Sequence, residues 1–374
     1  MSALPGPSGC VTWRIRLEAN AMKRSRTAAP SGHDTTLLMP GPLLVMGAGA
    51  IGCYVGGMLA LAGLDVRFVG RERVLDAVRD KGLKLTDLDG KSAQLTPASV
   101  SFATTLPTCV PALVLLCVKS TGTAEAAAQL EANLPAGTVV VSLQNGVSNA
   151  AVAAAAAPSL TVLPGMVPFN VVEMVPGHYH RGTSGELAAQ EHPVLRDWQT
   201  HFARAGLPVH LHDDLLAIQW GKLLLNLNNP VNALSGLPLK EQLQDSEMRL
   251  VTAALQREAM GIMRVAGIKP AKLTSVSMRA LPYVLGLPTW LFRRLAASML
   301  RIDDRARSSM ADDLAMGRPT EIDALCGEVV RLASKAGMKA PTNARMVLMI
   351  NAARPDMRKR SGSDMLKTLG LKQK

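Results

Sequence analysis

Cysteine is scarce in this 374-residue chain and forms no pattern. Cys10, Cys53, Cys109, Cys117 and Cys326 are odd in number, widely scattered and without a CxxC pair. That argues for reduced thiols and a cytoplasmic location. No run has the length and purity of a membrane span. The most apolar later stretch, Leu281 to Leu300, is broken by Pro282 and Pro288 and carries Arg293 and Arg294, so no membrane partner is expected. No secretory signal is expected either, because Arg14 and Arg16 interrupt the only apolar run near the start. No internal repeat is present.

The folded body also lacks a concentrated charge. Residues 1–40 hold five Lys/Arg against two Asp/Glu, and residues 352–374 hold seven against two, so the ends carry +8 of the net +12. A nucleic-acid surface would cluster its charge on the body, so no nucleic-acid partner is expected. A mildly basic body suits a polyanionic cofactor and an anionic substrate. Residues 1–40, rich in Pro, Ser, Gly and basic side chains, read as a disordered extension. An organelle transit peptide and an upstream start, with Met22 or Met39 as the alternative, both fit it. Residues 354–374 read as a basic C-terminal tail, and both ends as dispensable.

Residues 43–71 contain the most informative stretch. Leu43 to Met46 is apolar, Gly47-Ala48-Gly49-Ala50-Ile51-Gly52 follows, then a helical run, a Gly63 stop and a second apolar run ending in Gly70-Arg71. This is strand, glycine turn, helix and strand, with a GxGxxG fingerprint in the context that a dinucleotide requires. Gly47 allows the tight turn. Gly49, without a Cβ, admits a pyrophosphate, and Gly52 brings the helix close to the strand. Ala50 and Ile51 open the helix, whose free N–H groups favour phosphate. The Asp or Glu that NAD-selective sites place after the second strand is missing. Arg71 stands there, with Glu72 and Arg73 behind it. A guanidinium suits a 2′-phosphate, so the expected cofactor is NADPH.

Apolar runs continue in α/β fashion to residue 212. Ala112–Val118, Thr138–Leu143, Thr161–Pro164 and Val209–Leu211 read as strands, and the alanine run 150–157 as a helix closed by Pro158. After 213 only helical patterns remain: 214–229, 241–266, 289–300, 304–316, 321–336 and 342–352. The expected division is therefore 41–212, nucleotide-binding, and 213–353, all-helical.

Lys119 and Asn145 each end an apolar run, where open α/β sheets bind ligands. In Trp220-Gly221-Lys222-Leu223-Leu224-Leu225-Asn226-Leu227-Asn228-Asn229-Pro230, Lys222 and Asn226 share a helix face. A lysine among leucines either carries a depressed pKa or runs its stem to water. Glu321 reads as a first-turn carboxylate on a helix begun by Pro319 or Thr320. His178-Tyr179-His180 and His210-Leu211-His212 have strand spacing; exposed strand faces account for them, and no metal is assigned.

Taken in order, GxGxxG, Gly70-Arg71, Val118-Lys119, Gln144-Asn145-Gly146, Trp-x-Lys-x-x-x-Asn, Asn-Pro, Ser-Ser-Met and Thr-Glu-Ile-Asp resemble the ketopantoate reductases over about residues 42–353. That resemblance implies a Rossmann-type N-terminal domain with an all-helical, 6-phosphogluconate-dehydrogenase-like C-terminal domain. It implies NADPH-dependent reduction of 2-dehydropantoate to pantoate, in pantothenate and coenzyme A biosynthesis, and leaves a homodimer open. By resemblance, Gly47, Gly49, Ala50, Ile51, Gly52, Arg71, Lys119, Asn145 and Glu321 meet the cofactor. Lys222 is the catalytic lysine, with Glu321 beside it, and Asn226, Asn229 and Ser309 surround the small 2-keto acid. The chain departs from the family in three places. Asn226 and Asn229 are three apart rather than four, leaving Asn226 or Asn228 for the family role. Leu239 stands in the neighbourhood of a substrate-contacting Asn, and Ala306 where some members have Asn. A reductase of another 2-keto acid and a non-catalytic NADPH-binding regulator are the alternatives.

Overall fold

Short apolar runs become parallel strands because each is covered on both faces. A computed structural model describes residues 40–274, 276–296 and 306–372. Nearly all of the expected N-terminal extension, residues 1–39, lies outside the described residues, as does the 297–305 part of two expected helices. The first domain runs β1 (Leu43–Met46), α1 (Ala50–Leu61), β2 (Val66–Val69), α2 (Glu72–Lys81), β3 (Leu83–Asp87), β4 (Ser92–Leu95), β5 (Ser101–Ala103) and β6 (Leu113–Leu116). It continues through α3 (Thr123–Asn133), β7 (Val139–Ser142), α4 (Asn149–Ala156), β8 (Thr161–Met166), β9 (Val171–Val175), β10 (His178–Arg181), β11 (Leu187–Gln190), α5 (Pro193–Arg204) and β12 (Val209–His212).

Eight strands form one sheet in the order β12-β11-β8-β7-β6-β1-β2-β5, parallel throughout except where β11 meets β8. In β1, Leu43 and Val45 join the cluster containing Cys53, Val55 and Leu59 of α1. Leu44 and Met46 face the opposite layer, with Ala126, Ala127 and Leu130 of α3 and Ala153 of α4. The alanine run is thus a helix whose small side chains pack against its neighbour and the sheet. The chain passes from β1 to β2 and β5, then crosses to β6 on the other side of β1. The crevice at that reversal lies beyond the carboxyl ends of β1 and β6, where the glycine turn and Lys119 follow.

A second sheet, order β4-β3-β10-β9, is absent from the sequence reading. β3 pairs with β10 across about 90 residues, a contact that no local pattern announces. His178 Nε2 and His180 Nδ1 each lie 2.9 Å from Thr86 Oγ1 on that sheet. Among the described residues, no three His, Cys, Asp or Glu side chains gather as metal ligands.

The second domain comprises α6 (Leu216–Asn226), α7 (Asn229–Ser235), α8 (Leu239–Gln244), α9 (Ser246–Val265), α10 (Leu281–Leu285), α11 (Thr289–Leu295), α12 (Ser309–Ala315), α13 (Ile322–Lys335), α14 (Pro341–Ala352) and α15 (Gly362–Leu369). The expected helix 214–229 ends at Asn226, and Pro230 opens α7. The expected helix 241–266 is also two, because Asp245 caps α9 by accepting from Glu247 N and Met248 N at 2.8 and 2.9 Å. Arg249 of α9 is fully buried. Its guanidinium donates to the carbonyls of Leu243, Gln244, Leu285 and Leu287 and lies 4.4 Å from the Phe292 ring centre. Four carbonyls and a ring meet the charge, so it needs no carboxylate. No described helix is long and apolar enough to cross a membrane.

The expected tail, described as far as residue 372, is not a solvated end. Within them α15 buries Met365, Leu366 and Leu369 in the core of the helical domain. Ser361 and Asp364 form a capping box at its start. Of the basic residues that suggested a solvated end, Arg354, Arg358, Lys359 and Arg360 precede α15, and Lys367 lies on its exposed side.

Candidate active site

The glycine turn is built for close approach. Gly47 has φ +105°, and a Cβ on it would stand 2.4 Å from Val118 N. A Cβ on Gly52 would stand 2.2 Å from Gly47 O, whereas Gly49 faces open space. The turn therefore abuts the end of β6, packs α1 tightly and leaves Gly49 clear. Gly49 also caps α1, so Ala50, Ile51 and Gly52 form its first turn with N–H groups that lack helical partners. These residues fit a dinucleotide pyrophosphate.

At the end of β2 the two arginines differ. Arg73 is held in a two-pronged ion pair with Glu173 at 2.8 and 2.9 Å. Arg71, the exposed N-cap of α2, makes no side-chain hydrogen bond or ion pair among the described residues. The pairing that engages Arg73 lies 100 residues away in sequence, so Gly-Arg-Glu-Arg pointed to Arg71 by position without showing that Arg73 is already held.

Three candidate residues meet across the domain seam. Lys222 Nζ donates to Asn145 Oδ1 at 3.1 Å and to the Val167 carbonyl. Asn145 Nδ2 donates to Glu321 Oε2 at 2.9 Å, and the other carboxylate oxygen accepts from Ser120 N at 3.1 Å. The Asn145 amide can serve both neighbours because its oxygen accepts and its nitrogen donates. Burial lowers the Lys222 pKa to about 8, outweighing the opposing pull of Glu321. Glu321 is not a first-turn carboxylate: it is the N-cap residue of α13, and its side chain reaches into the first domain.

The support for this network is largely buried. Gln144 Nε2 donates to Val118 O at 2.9 Å and Thr123 Oγ1 at 2.7 Å, while Ser142 Oγ donates to its carbonyl oxygen. These bonds fix the loop carrying Asn145. Gly146 has φ +96° and its Cα side closes on Ala324 O of α13, leaving 2.9 Å for a Cβ. Lys119 is engaged in the same seam, donating to Asp313 Oδ1 at 2.6 Å and Pro319 O at 3.0 Å. Asp313 carries no sequence signal; only the packing of α12 against the first domain brings it there. Val167, whose carbonyl accepts a hydrogen bond from Lys222, was equally invisible, because a backbone acceptor leaves no residue-type mark.

The asparagines separate cleanly. Asn228 exchanges two 3.0 Å bonds with Gln242 and accepts a third from Thr252 Oγ1. Its amide is thus consumed within the domain. Asn226, one turn beyond Lys222, and Asn229 have no side-chain hydrogen-bond partner among the described residues. Ser308 is buried, caps α12 and donates through Oγ to Asn229 O at 3.3 Å. Ser309 is exposed at the first helical position, one turn before Asp313 and on its face. Buried Asn232 accepts from Ser308 N at 2.9 Å and so hangs this segment on α7.

Comparison with known proteins agrees with this architecture. The sequence model described as Ketopantoate reductase PanE/ApbA matches residues 43–193, and its C-terminal counterpart matches residues 214–354. A 2-dehydropantoate 2-reductase of Halobacterium salinarum is 29% identical over 322 residues, 84% of this chain and 99% of that protein. One from Pyrococcus horikoshii is 26% identical, covering 83% and 96%. The PanE/ApbA family ketopantoate reductase structure from Ralstonia eutropha JMP134 is 31% identical, with TM-score 0.70 over 83% of this chain and 97% of that one. A D-mandelate dehydrogenase solved with NADH and anilino(oxo)acetate shares the fold at 18% identity and TM-score 0.69. With both halves of the chain matched in order, and a solved member alike over nearly its whole length, this protein belongs to the ketopantoate reductase family of oxidoreductases.

Proposed function

We propose that the chain is an NADPH-dependent reductase of 2-dehydropantoate, with Lys222 as the general acid. The observation that carries this reading is the Lys222 ammonium, held by Asn145 and the Val167 carbonyl at the junction of the two domains, with Glu321 beyond the amide. The nicotinamide cofactor, when bound, supplies the hydride. Lys222 donates its proton to the oxygen of the ketone as negative charge builds there, and the ammonium stabilises that charge before the transfer is complete. Asn145 orients Nζ, and Glu321 holds Asn145. Asn226, Asn229 and Ser309, whose side chains are uncommitted, bind the carboxylate and hydroxyl of the keto acid. The seam excludes water as the domains close, which strengthens each of these interactions.

Activity should report the Lys222 pKa directly. Only the ammonium donates, so reduction should fall as pH rises through about 8, where the buried amine loses its proton. A kcat profile of reduction, flat to pH 10, would remove Lys222 from the proton-donating role.

Arg71→Ala should weaken NADPH by roughly tenfold or more and NADH hardly at all, because a charge-assisted contact to the 2′-phosphate is lost. Arg73, engaged with Glu173, cannot substitute without breaking that pair. Equal losses for both cofactors, measured by fluorescence titration, would contradict the assignment.

One observation favours a second reading, a different 2-keto acid. Two of the three departures from the family pattern lie together: Leu239 N donates to Ala306 O at 2.8 Å. An apolar and a small side chain at one place in the substrate region suit a less polar group than a hydroxymethyl. Rates of NADPH oxidation across a panel of 2-keto acids decide between them.

A further inference from the structure

We infer that the helical domain carries a second anion site, remote from Lys222, for a small multiply charged phosphate-type anion. A cleft of ≈ 210 Å³ opens between α7, α12, the end of α14 and the segment 354–360. Arg307, Arg354, Arg358, Lys359 and Arg360 line it, and no acidic residue does. Its floor is apolar, with Ala311, Leu314 and Met349 among the lining residues.

Five cations around one cleft repel one another, and a fold ordinarily interleaves them with carboxylates. Here the hydrogen-bond partners are neutral oxygens, and the nearest carboxylates, Asp312 and Asp364, act on Arg307, Arg358 and Arg360 without a hydrogen bond. Arg354 donates to the carbonyls of Asn351 and Ala353, Arg360 to Thr368 Oγ1 at 3.4 Å, and Lys359 Nζ to Gly236 O at 3.5 Å. Such contacts orient the cations without neutralising them. Two are still less satisfied. Arg307 Nε is buried with no hydrogen-bond partner, and the nearest carboxylate, Asp312, is 3.9 Å away. Arg358 makes no hydrogen bond and no ion pair within 4 Å among the described residues, and Asp364 reaches it only through its field. A buried idle donor is costly and uncommon. Anion oxygens would supply the missing acceptors, and guanidinium groups grip phosphate in pairs of parallel bonds.

The cleft is also preformed. Arg360 N donates to Leu234 O at 2.9 Å, and the Lys359 stem lies so close to Gly236 that a Cβ there would be 2.5 Å from it. These contacts pin the basic segment to α7. A concave site of this size with an apolar floor fits a compact anion; a nucleic-acid strand needs an extended track. The site is separate from the cofactor crevice yet shares α12 with the seam. Ala311 and Leu314 face the basic cleft, while Asp313 of the same helix holds Lys119.

The test titrates full-length protein, kept saturated with NADPH so that the cofactor site is filled, with tripolyphosphate. Calorimetry and thermal shift at low ionic strength provide the readouts. Saturable one-to-one binding with a rise in melting temperature is expected. Arg358→Glu, at an exposed side chain that makes no hydrogen bond among the described residues, should weaken binding roughly tenfold or more, the loss of one charge-assisted bond. Arg71→Ala, altered at the cofactor face, should bind tripolyphosphate as the parent does. No saturable binding, or equal affinity in Arg358→Glu and the parent, overturns the site. Tight binding of a single-stranded oligonucleotide that tripolyphosphate fails to displace overturns the small-anion assignment.

Discussion

Lys222→Ala is expected to lower turnover by roughly 10²–10⁴-fold, the span of general acid–base catalysis. Among the described residues the side chain is the only cation bonded to Asn145, and it sits where burial brings its pKa to about 8, near enough to neutrality for efficient donation. On the proposed mechanism, truncation removes both the proton and the positive charge that would face the developing alkoxide. NADPH affinity should scarcely change, because α6 belongs to the second domain. The substrate KM should rise if the ammonium also attracts the carboxylate. What remains of the activity should lack the alkaline limb near pH 8. Lys222→Arg distinguishes charge from proton transfer: arginine keeps the charge but does not titrate in this range, so it should restore part of the substrate affinity and little of kcat. Near-parental turnover in Lys222→Ala, with the limb intact, would show that another group donates.

Removing residues 361–374 is expected to unfold the helical domain, although composition alone marks this end as dispensable. Met365, Leu366 and Leu369 are each at most 2% exposed. Burying such side chains contributes ~1.5–3 kcal/mol apiece, so together they approach the ~5–15 kcal/mol that stabilises a typical domain. The join to α9 is close: a Cβ on Gly362 would stand 2.5 Å from Glu247 Cβ. At the other end, Arg345 Nη1 donates to Leu369 O at 2.6 Å. Leu366→Ala, leaving a cavity, should cost about 2–5 kcal/mol. Calorimetry would check both variants; a melting temperature of the truncated chain within a few degrees of the parent would show that α15 merely lies against the domain.

Legibility followed the range of the interactions. The first βαβ unit could be read because its cause is local: a glycine is required where φ is +105° at Gly47, and continuous apolar runs are required where strands are covered on both faces. The break at Asp245 was missed, and the end of α6 was placed three residues late, because the apolar period continues through both. Only the Pro230 start and the Asp245 cap, competing with that period, end the helices there. The C-terminal segment was misread for a related reason. Its seven Lys/Arg dominate composition, while three apolar residues at helical spacing decide its packing.

Residue types at the site were also legible in the chain. A lysine among leucines, an asparagine at a strand end and a glutamate before a helix each announce a costly or oriented group. Their sequence separations of 77 and 176 residues gave no hint that they form one chain of hydrogen bonds. Nor could sequence choose between Asn226 and Asn228, or show that Arg73, unlike the Arg71 it favoured by position, is spent on Glu173. Those choices depend on where Glu173, Gln242 and Thr252 arrive after folding. By itself the sequence determined the local backbone of the cofactor turn and the kinds of side chain available for chemistry, because backbone sterics and hydrophobic periodicity act within a few residues. The tertiary structure alone decided which polar groups are spent on one another and which remain free, because a hydrogen bond is settled by which partners packing brings within about 3 Å.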